Sequence, residues 1–181
     1  MSDAEEQLRR WVERLVIGER LCPFASAPWA TGRVRIAVCE AADDDGIYRA
    51  FLEEVERLLA TDPAELETTL LAVPDALGDF ADYLDMLAVL EQALAEAGLE
   101  GVLQIASFHP DYRFADEAAD DHSHWTNRAP VPVFHLLRED SIGRAVASLE
   151  DPDAIPRRNR ERMRELGIAR LRALRDGREP G

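Results

Sequence analysis

The chain has 181 residues, with 36 acidic and 21 basic side chains, a formal net charge of −15 and 46% hydrophobic residues. That length fits one domain with an ordinary apolar core, and the charge excludes a nucleic-acid partner unless the basic groups are tightly clustered. Every basic side chain is an arginine, which excludes lysine Schiff-base and lysine general-base chemistry and leaves anions to guanidinium groups, backbone N–H groups or histidine.

No apolar run approaches the roughly 18 residues of a membrane span. The first ten residues are acidic and polar, unlike a signal peptide. Two cysteines, Cys22 and Cys39, do not make a disulfide framework. The expectation is a cytoplasmic protein with no membrane partner.

Leu8, Trp11, Val12, Leu15 and Val16 recur at helical spacing, with Asp3 as the expected cap and Gly18 at the end. Leu21-Cys22-Pro23-Phe24 reads as a turn, and residues 25–32 as a loop. Val34, Ile36 and Val38 alternate as a strand, and Ile47, Phe51, Val55 and Leu58 mark an amphipathic helix. Thr68 to Val73 is a second, more continuously apolar strand. Phe80, Tyr83, Leu84, Leu87, Leu90 and Leu94 mark a helix that Gly98 closes. Strands are expected at Val102 to Phe108 and at Val131 to Leu137, separated by a polar loop from Pro110 to Pro130. A short helix starting at Asp140 or Ser141 and an arginine-rich last helix, interrupted at Gly167, complete the chain.

This order predicts an α/β (α+β) fold, one small mixed sheet of about four strands packed with about five helices. Two crossover helices make the first three strands parallel, and the fourth pairs antiparallel with a neighbour. A ferredoxin-like two-layer sandwich is one candidate. Residues 1–176 are expected to form a single domain, with 177–181 as a frayed tail.

A loop of about 20 residues inside a compact domain is usually functional or disordered. This one carries Asp111, Tyr112, Arg113, Asp120, Asp121, His122, His124, Trp125, Asn127 and Arg128. Tyr112, Phe114 and Trp125 are apolar anchors that would fold it back as a lid, leaving Asp116 to Asp121 at a solvated tip. If the flanking strands are neighbours, His109 and His135 are expected on one face at the loop's base. Arg128 and Arg138 bracket the fourth strand and, with Asn127, suit a phosphate or carboxylate. His122 and His124 beside Asp120 and Asp121 are a weak metal signal, because no HExxH or CxxC accompanies them. Cys22 follows a helix, the wrong end for lowering a thiol pKa, so it reads as a packed thiol, unpaired with Cys39.

The chain resembles the bacterial domain of unknown function 1415 family. The matching stretches are Val16-Ile17-Gly18 with Leu21-Cys22-Pro23-Phe24, Thr68-Thr69-Leu70-Leu71 and Asp79-Phe80-Ala81-Asp82-Tyr83-Leu84. Gln104-Ile105-Ala106-Ser107-Phe108-His109-Pro110-Asp111-Tyr112, Thr126-Asn127-Arg128-Ala129-Pro130 and His135-Leu136-Leu137-Arg138-Glu139-Asp140-Ser141 match most specifically. The resemblance implies positions rather than a reaction. It points to Cys22, His109, Asp111, Asn127, Arg128, His135 and Arg138, while His122, His124 and Val131-Pro132-Val133 depart from its pattern.

The leading expectation is an enzyme or binding domain for a small anionic molecule, with its site in residues 104–140. His109, His135 and Asp111 are the candidate catalytic groups. Asn127, Arg128, Arg138, Tyr112 and Cys22 are the candidate ligand contacts. No metal is assigned and the cofactor is unknown. The alternatives are a metal or haem protein using His109 and His135, and a non-enzymatic interaction module using the arginine-rich last helix.

Overall fold

The computed structural model describes residues 2–177. Helix α1, Asp3–Trp11, starts at Ser2, whose side chain accepts from the Glu5 N–H, so the cap lies one residue before the expected Asp3. It runs on as a π-helical turn, Val12–Ile17, closed by Gly18. Residues 25–32, expected as a loop, contain a short helix, α2, Ser26–Ala30. Strand β1 (Val34–Val38), helix α3 (Asp44–Ala60), strand β2 (Thr68–Ala72) and helix α4 (Phe80–Glu96) follow. Asp43 and Asp79 cap α3 and α4 through backbone N–H groups of the first turns. Strand β3 (Leu103–Phe108), a 3₁₀ turn (His122–Thr126), strand β4 (Val133–Arg138), helix α5 (Glu139–Ala147) and helix α6 (Ala154–Arg175) complete the fold. Gly167, with φ of 71° and ψ of 160°, breaks α6 where the sequence predicts an interruption.

The four strands form one sheet in the order β1-β2-β4-β3. β1 and β2 are parallel, joined through α3, and β4 is antiparallel to both β2 and β3. The first three strands therefore point the same way, with β4 inserted between the second and third. The mixed α+β sheet is as expected, but the ferredoxin-like candidate is corrected. That arrangement needs a β-α-β-β-α-β order, whereas the two crossover helices here precede the β3–β4 antiparallel pair.

Both faces of the sheet are covered. On one, Ala37, Leu71, Leu103, Phe134 and Leu136 meet Ile47, Phe51 and Leu58 of α3 and Met86, Leu90 and Leu94 of α4. On the other, Leu70, Ala72 and Val133 meet Leu8 and Trp11 of α1, Trp125 of the 3₁₀ turn, and Met163 and Leu171 of α6. Each such side chain, fully buried, stabilises by about 1.5–3 kcal/mol, so both helical layers are held by ordinary apolar packing. The long segment between β3 and β4 emerges where β2 and β3 end, outside the carboxyl ends of the parallel strands, a frequent place for ligand sites in open sheets. No helix among the described residues is long and apolar enough to cross a membrane.

Candidate functional site

The segment after β3 is pinned at its base by side chains of α4. The Tyr83 hydroxyl accepts from the Phe108 N–H at 3.1 Å and donates to the Val133 carbonyl at 2.8 Å, clasping β3 to β4 where they part. Burial pushes that phenol's pKa up, so it stays a neutral donor. His109 is fully buried against the Phe80 and Tyr83 rings. Its Nδ1 accepts from the Asp111 N–H at 3.0 Å, which places the proton on Nε2, and Nε2 donates to the Leu77 carbonyl at 2.9 Å. Both ring nitrogens are thereby occupied. Burial also lowers the His109 pKa, with the Leu77 carbonyl and the fields of Asp111 and Asp79 opposing more weakly. The imidazole fastens the loop before α4, where Leu77 has a positive φ of 58°, to the start of the long segment.

The rest of the segment folds back as its aromatic anchors predict. Tyr112 packs on Phe80 and Phe114, and Phe114 lies against His124. His124, also fully buried, accepts from the Phe114 N–H on Nδ1 and donates from Nε2 to the Ala118 carbonyl. Asp121 caps the 3₁₀ turn through the Ser123 N–H at 2.7 Å and faces Arg164 at 3.4 Å. Hydrogen bonds from the Ser123 N–H and hydroxyl and, more weakly, the Arg164 guanidinium hold the Asp121 carboxyl down to about 2. Within this turn Trp125 is buried in the α1/α6 layer. Asn127 ties the turn to β3, its amide donating to the Ser107 carbonyl and its own carbonyl accepting from the His109 N–H.

Between the Cys22 turn, this segment and the first turns of α6 lies a cavity of about 550 Å³. Its walls are apolar: Val16 and Leu21 from the amino-terminal helix and turn, Phe108 and Phe114 from the β3 side, Ile155 and Pro156 from α6. The polar groups on it are Cys22, Ser123, Thr126, Asn127 and Asn159, with Asp116, Glu117 and Arg160 as its charged lining. Ser123 is 2% exposed, and its hydroxyl lies beside the Asp121 carboxylate. Asn159 is buried and donates to the Leu21 carbonyl at 2.7 Å, joining α6 to the Cys22 turn. A second depression, about 470 Å³ between α3 and α4, is more open and is lined by Tyr48, Val89, Gln92 and Glu96.

Cys22 is partly buried and Cys39 buried, both as free thiols, as expected. The reading of Cys22 as standing at the wrong helix end is corrected by α2, which follows it. The N–H groups of Phe24 and Ala25, at the start of that helix, point to its sulfur, yet burial outweighs them and raises the thiol pKa. The thiol is protonated at neutral pH.

The family model for proteins of unknown function (DUF1415) matches residues 3–173. The chain belongs to this family. No curated protein and no solved structure matches it.

In this DUF1415 chain the sequence candidates divide. Cys22 and Asn127 are brought together on the cavity. Arg128 turns away from it. Its Nε donates to the Tyr112 carbonyl at 3.2 Å and its guanidinium lies 5.0 Å from the Trp125 ring centre. Asp111 is exposed beside it and acts on its charge. Arg138 is at the opposite end of β4, donating to the carbonyls of Leu58, Thr61 and Leu66 and so closing the carboxyl end of α3. The expected pairing of Arg128 and Arg138 around one ligand does not occur, because they bracket the full length of the strand.

His109 and His135 are also separated. β3 and β4 are neighbours, but their register sets Ala106 opposite His135. His109 lies three residues beyond Ala106, and with a side-chain period of two it falls on the other face. His135 accordingly points to the α1/α6 side, near Phe108. The Thr68 hydroxyl donates to the Leu136 carbonyl, so the 2.7 Å contact with His135 is donated by Nε2. Burial lowers its pKa to about 4, keeping it neutral at pH 7. Among the described residues there is no group of three or more His, Cys, Asp or Glu side chains placed to hold a metal ion. Ser123 and Asn159 were not legible as site residues. Ser123 sits in an unremarkable His-Ser-His run, and Asn159 among arginines whose partners lie far away in sequence.

Proposed function

We propose that this chain is a small-molecule-binding domain whose ligand occupies the cavity between the Cys22 turn, the Phe108–Asn127 segment and the start of α6. One observation carries the reading: a largely apolar cavity of ligand size with a few polar groups, Cys22, Ser123, Thr126 and Asn127, on its wall. A ligand with an apolar body and one hydrogen-bonding end suits that lining, meeting the Cys22 thiol, Ser123, Thr126 and Asn127. The protonated thiol supports binding rather than nucleophilic attack. The anionic ligand expected from Arg128 and Arg138 has less support here, since Asp116 and Glu117 outnumber Arg160 on the lining. The haem or metal alternative at His109 has no lone pair to use, because Nδ1 already accepts and Nε2 donates.

Amide NMR of the labelled protein against a fragment library tests this. Bound fragments are expected to shift Ser123, Thr126, Asn127 and Asn159 together and to slow iodoacetamide labelling of Cys22. Fragments that gather on the α3–α4 depression and leave Cys22 labelling unchanged would overturn it.

A further inference from the structure

Two arginines lie against Trp125, away from the cavity, and the charges of two more reach them. Arg128 and Arg175 both carry their guanidinium groups against its ring, 5.0 and 5.2 Å from the centroid. Arg113 and Arg172 are close enough for their charge to act on Arg128, as does that of Arg175, and the field of Asp111 opposes theirs at Arg128. Arg128 comes from the segment between β3 and β4, as does Arg113. Arg172 and Arg175 come from the last turns of α6. Cations at a helix carboxyl end are favoured by the helix dipole, which accounts for the latter two but not for the former.

The arginines in the first part of α6 are placed differently. Arg157, Arg160, Arg162 and Arg164 each face a carboxylate, namely Asp151, Glu117, Glu19 and Asp121, while Arg158 donates to the Arg20 carbonyl. At Trp125 only Arg175 does so, with Asp176 at 2.7 Å. Among the described residues Arg113, Arg128 and Arg172 have no ion-pair partner, in a chain whose net charge of −15 offers carboxylates in excess. Arg128 is also fixed in place. Its Nε is held by the Tyr112 carbonyl and its plane by the indole, which leaves the two terminal nitrogens for an acceptor. Arg175 is anchored likewise through Pro110 and Asp176. Gathering four guanidinium groups around two carboxylates, Asp111 and Asp176, costs free energy, and a bound anion offsets it.

We propose that Arg113, Arg128, Arg172 and Arg175 form a binding site for a multiply charged oxyanion, a phosphate or polycarboxylate group, seated beside Trp125. The terminal N–H groups of Arg128 supply the pre-positioned fork. Arg113 and Arg172, both exposed, close on the anion from the rim. The site uses none of the cavity's lining residues, so it stands or falls separately from the small-molecule reading.

Calorimetry and amide NMR with inorganic phosphate, pyrophosphate and citrate, at low and at 0.5 M salt, decide the matter on the full chain. Pyrophosphate or citrate is expected to shift the Trp125 indole N–H and the Arg128 amide while Ser123 and Cys22 stay in place. The two anions separate a phosphate from a carboxylate preference. Arg128→Gln should weaken binding about tenfold to a hundredfold, the loss of one charge-assisted hydrogen bond. The double variant Arg113→Gln/Arg172→Gln removes no hydrogen bond among the described residues, so it should fold normally and still lose binding at least tenfold. Arg157→Gln, on the first part of α6, should bind as the unaltered protein does. Absence of any Trp125 shift at about 10 mM pyrophosphate would overturn the site, as would equal losses in Arg157→Gln and Arg113→Gln/Arg172→Gln.

Discussion

The two parts of α6, before and after Gly167, are both arginine-rich but differ in electrostatic surroundings. Before the break, Arg162 reaches Glu19 at 2.7 Å, Arg164 reaches Asp121 at 3.4 Å and Arg160 reaches Glu117 at 4.0 Å. These pairs join α6 to the amino-terminal turn and to the acidic stretch of the long segment, and the same stretch of helix closes the cavity through Ile155, Pro156 and Asn159. After the break, Arg175 shares the Trp125 ring with Arg128, and the charge of Arg172 acts on Arg128. The comparison teaches that an arginine on a helix acquires its role from what the opposing segment presents. Opposing carboxylates make a strut, and an aromatic ring with further guanidinium groups makes a site short of negative charge.

The largest test of this division is Trp125→Ala. The indole is 2% exposed and supports both Arg128 and Arg175. Its loss should cost about 3–5 kcal/mol, seen as a fall in Tm of roughly 6–20 °C. Oxyanion binding should vanish with it, while the pairs of Arg162 and Arg164 persist in the folded fraction. A stability loss under 1 kcal/mol would mean that the ring is not the support of the second part of α6.

Gly167→Ala comes next. A Cβ built there meets nothing within 4 Å, so any cost is conformational. At φ 71° and ψ 160° the backbone is in a region that glycine alone occupies freely, and alanine should destabilise by about 1–3 kcal/mol. Because the break aims the two parts of α6 at different partners, the variant should disturb Trp125 contacts more than the Arg162–Glu19 pair. Uniform amide shifts along α6 would argue against two independently placed parts.

The smallest effect is a titration. Asp121 has its carboxyl lowered from its ordinary value of 3.8 to about 2. A depressed carboxyl stabilises the fold above its unfolded pKa and loses that contribution as pH falls through the folded one. The link from the 3₁₀ turn to Arg164 should therefore survive at pH 4 and fade only toward pH 2, as carbon NMR of the Asp121 carboxyl can follow. Titration near 3.8 would show that this arginine is no better paired than those at Trp125.

Local signals were sufficient for most of the frame. Alternation at Val34, Ile36 and Val38, the Gly98 helix end and the spacing of Phe51, Val55 and Leu58 specify elements through contacts within a few residues. The anchoring of the long segment by Tyr112, Phe114 and Trp125 was legible for the same reason, since a polar loop carrying three aromatic rings has to bury them. Helix α2 was missed because Ser26-Ala27-Pro28-Trp29-Ala30 is too short to show a period and reads as a loop by composition.

The sequence by itself determined the α+β class, the helix-breaking Gly167, the absence of lysine chemistry and the region in which polar side chains concentrate. All of these depend on residue identity and short-range spacing. Only the tertiary structure decided which residues meet. One step of strand register puts His109 and His135 on opposite faces, and the length of β4 carries Arg138 to α3 and away from Arg128. Asn159 reaches the Leu21 carbonyl across 138 residues of sequence. Partnerships of that kind are set by how layers stack, and a charge, a hydroxyl or an imidazole carries no local mark of the group that will face it.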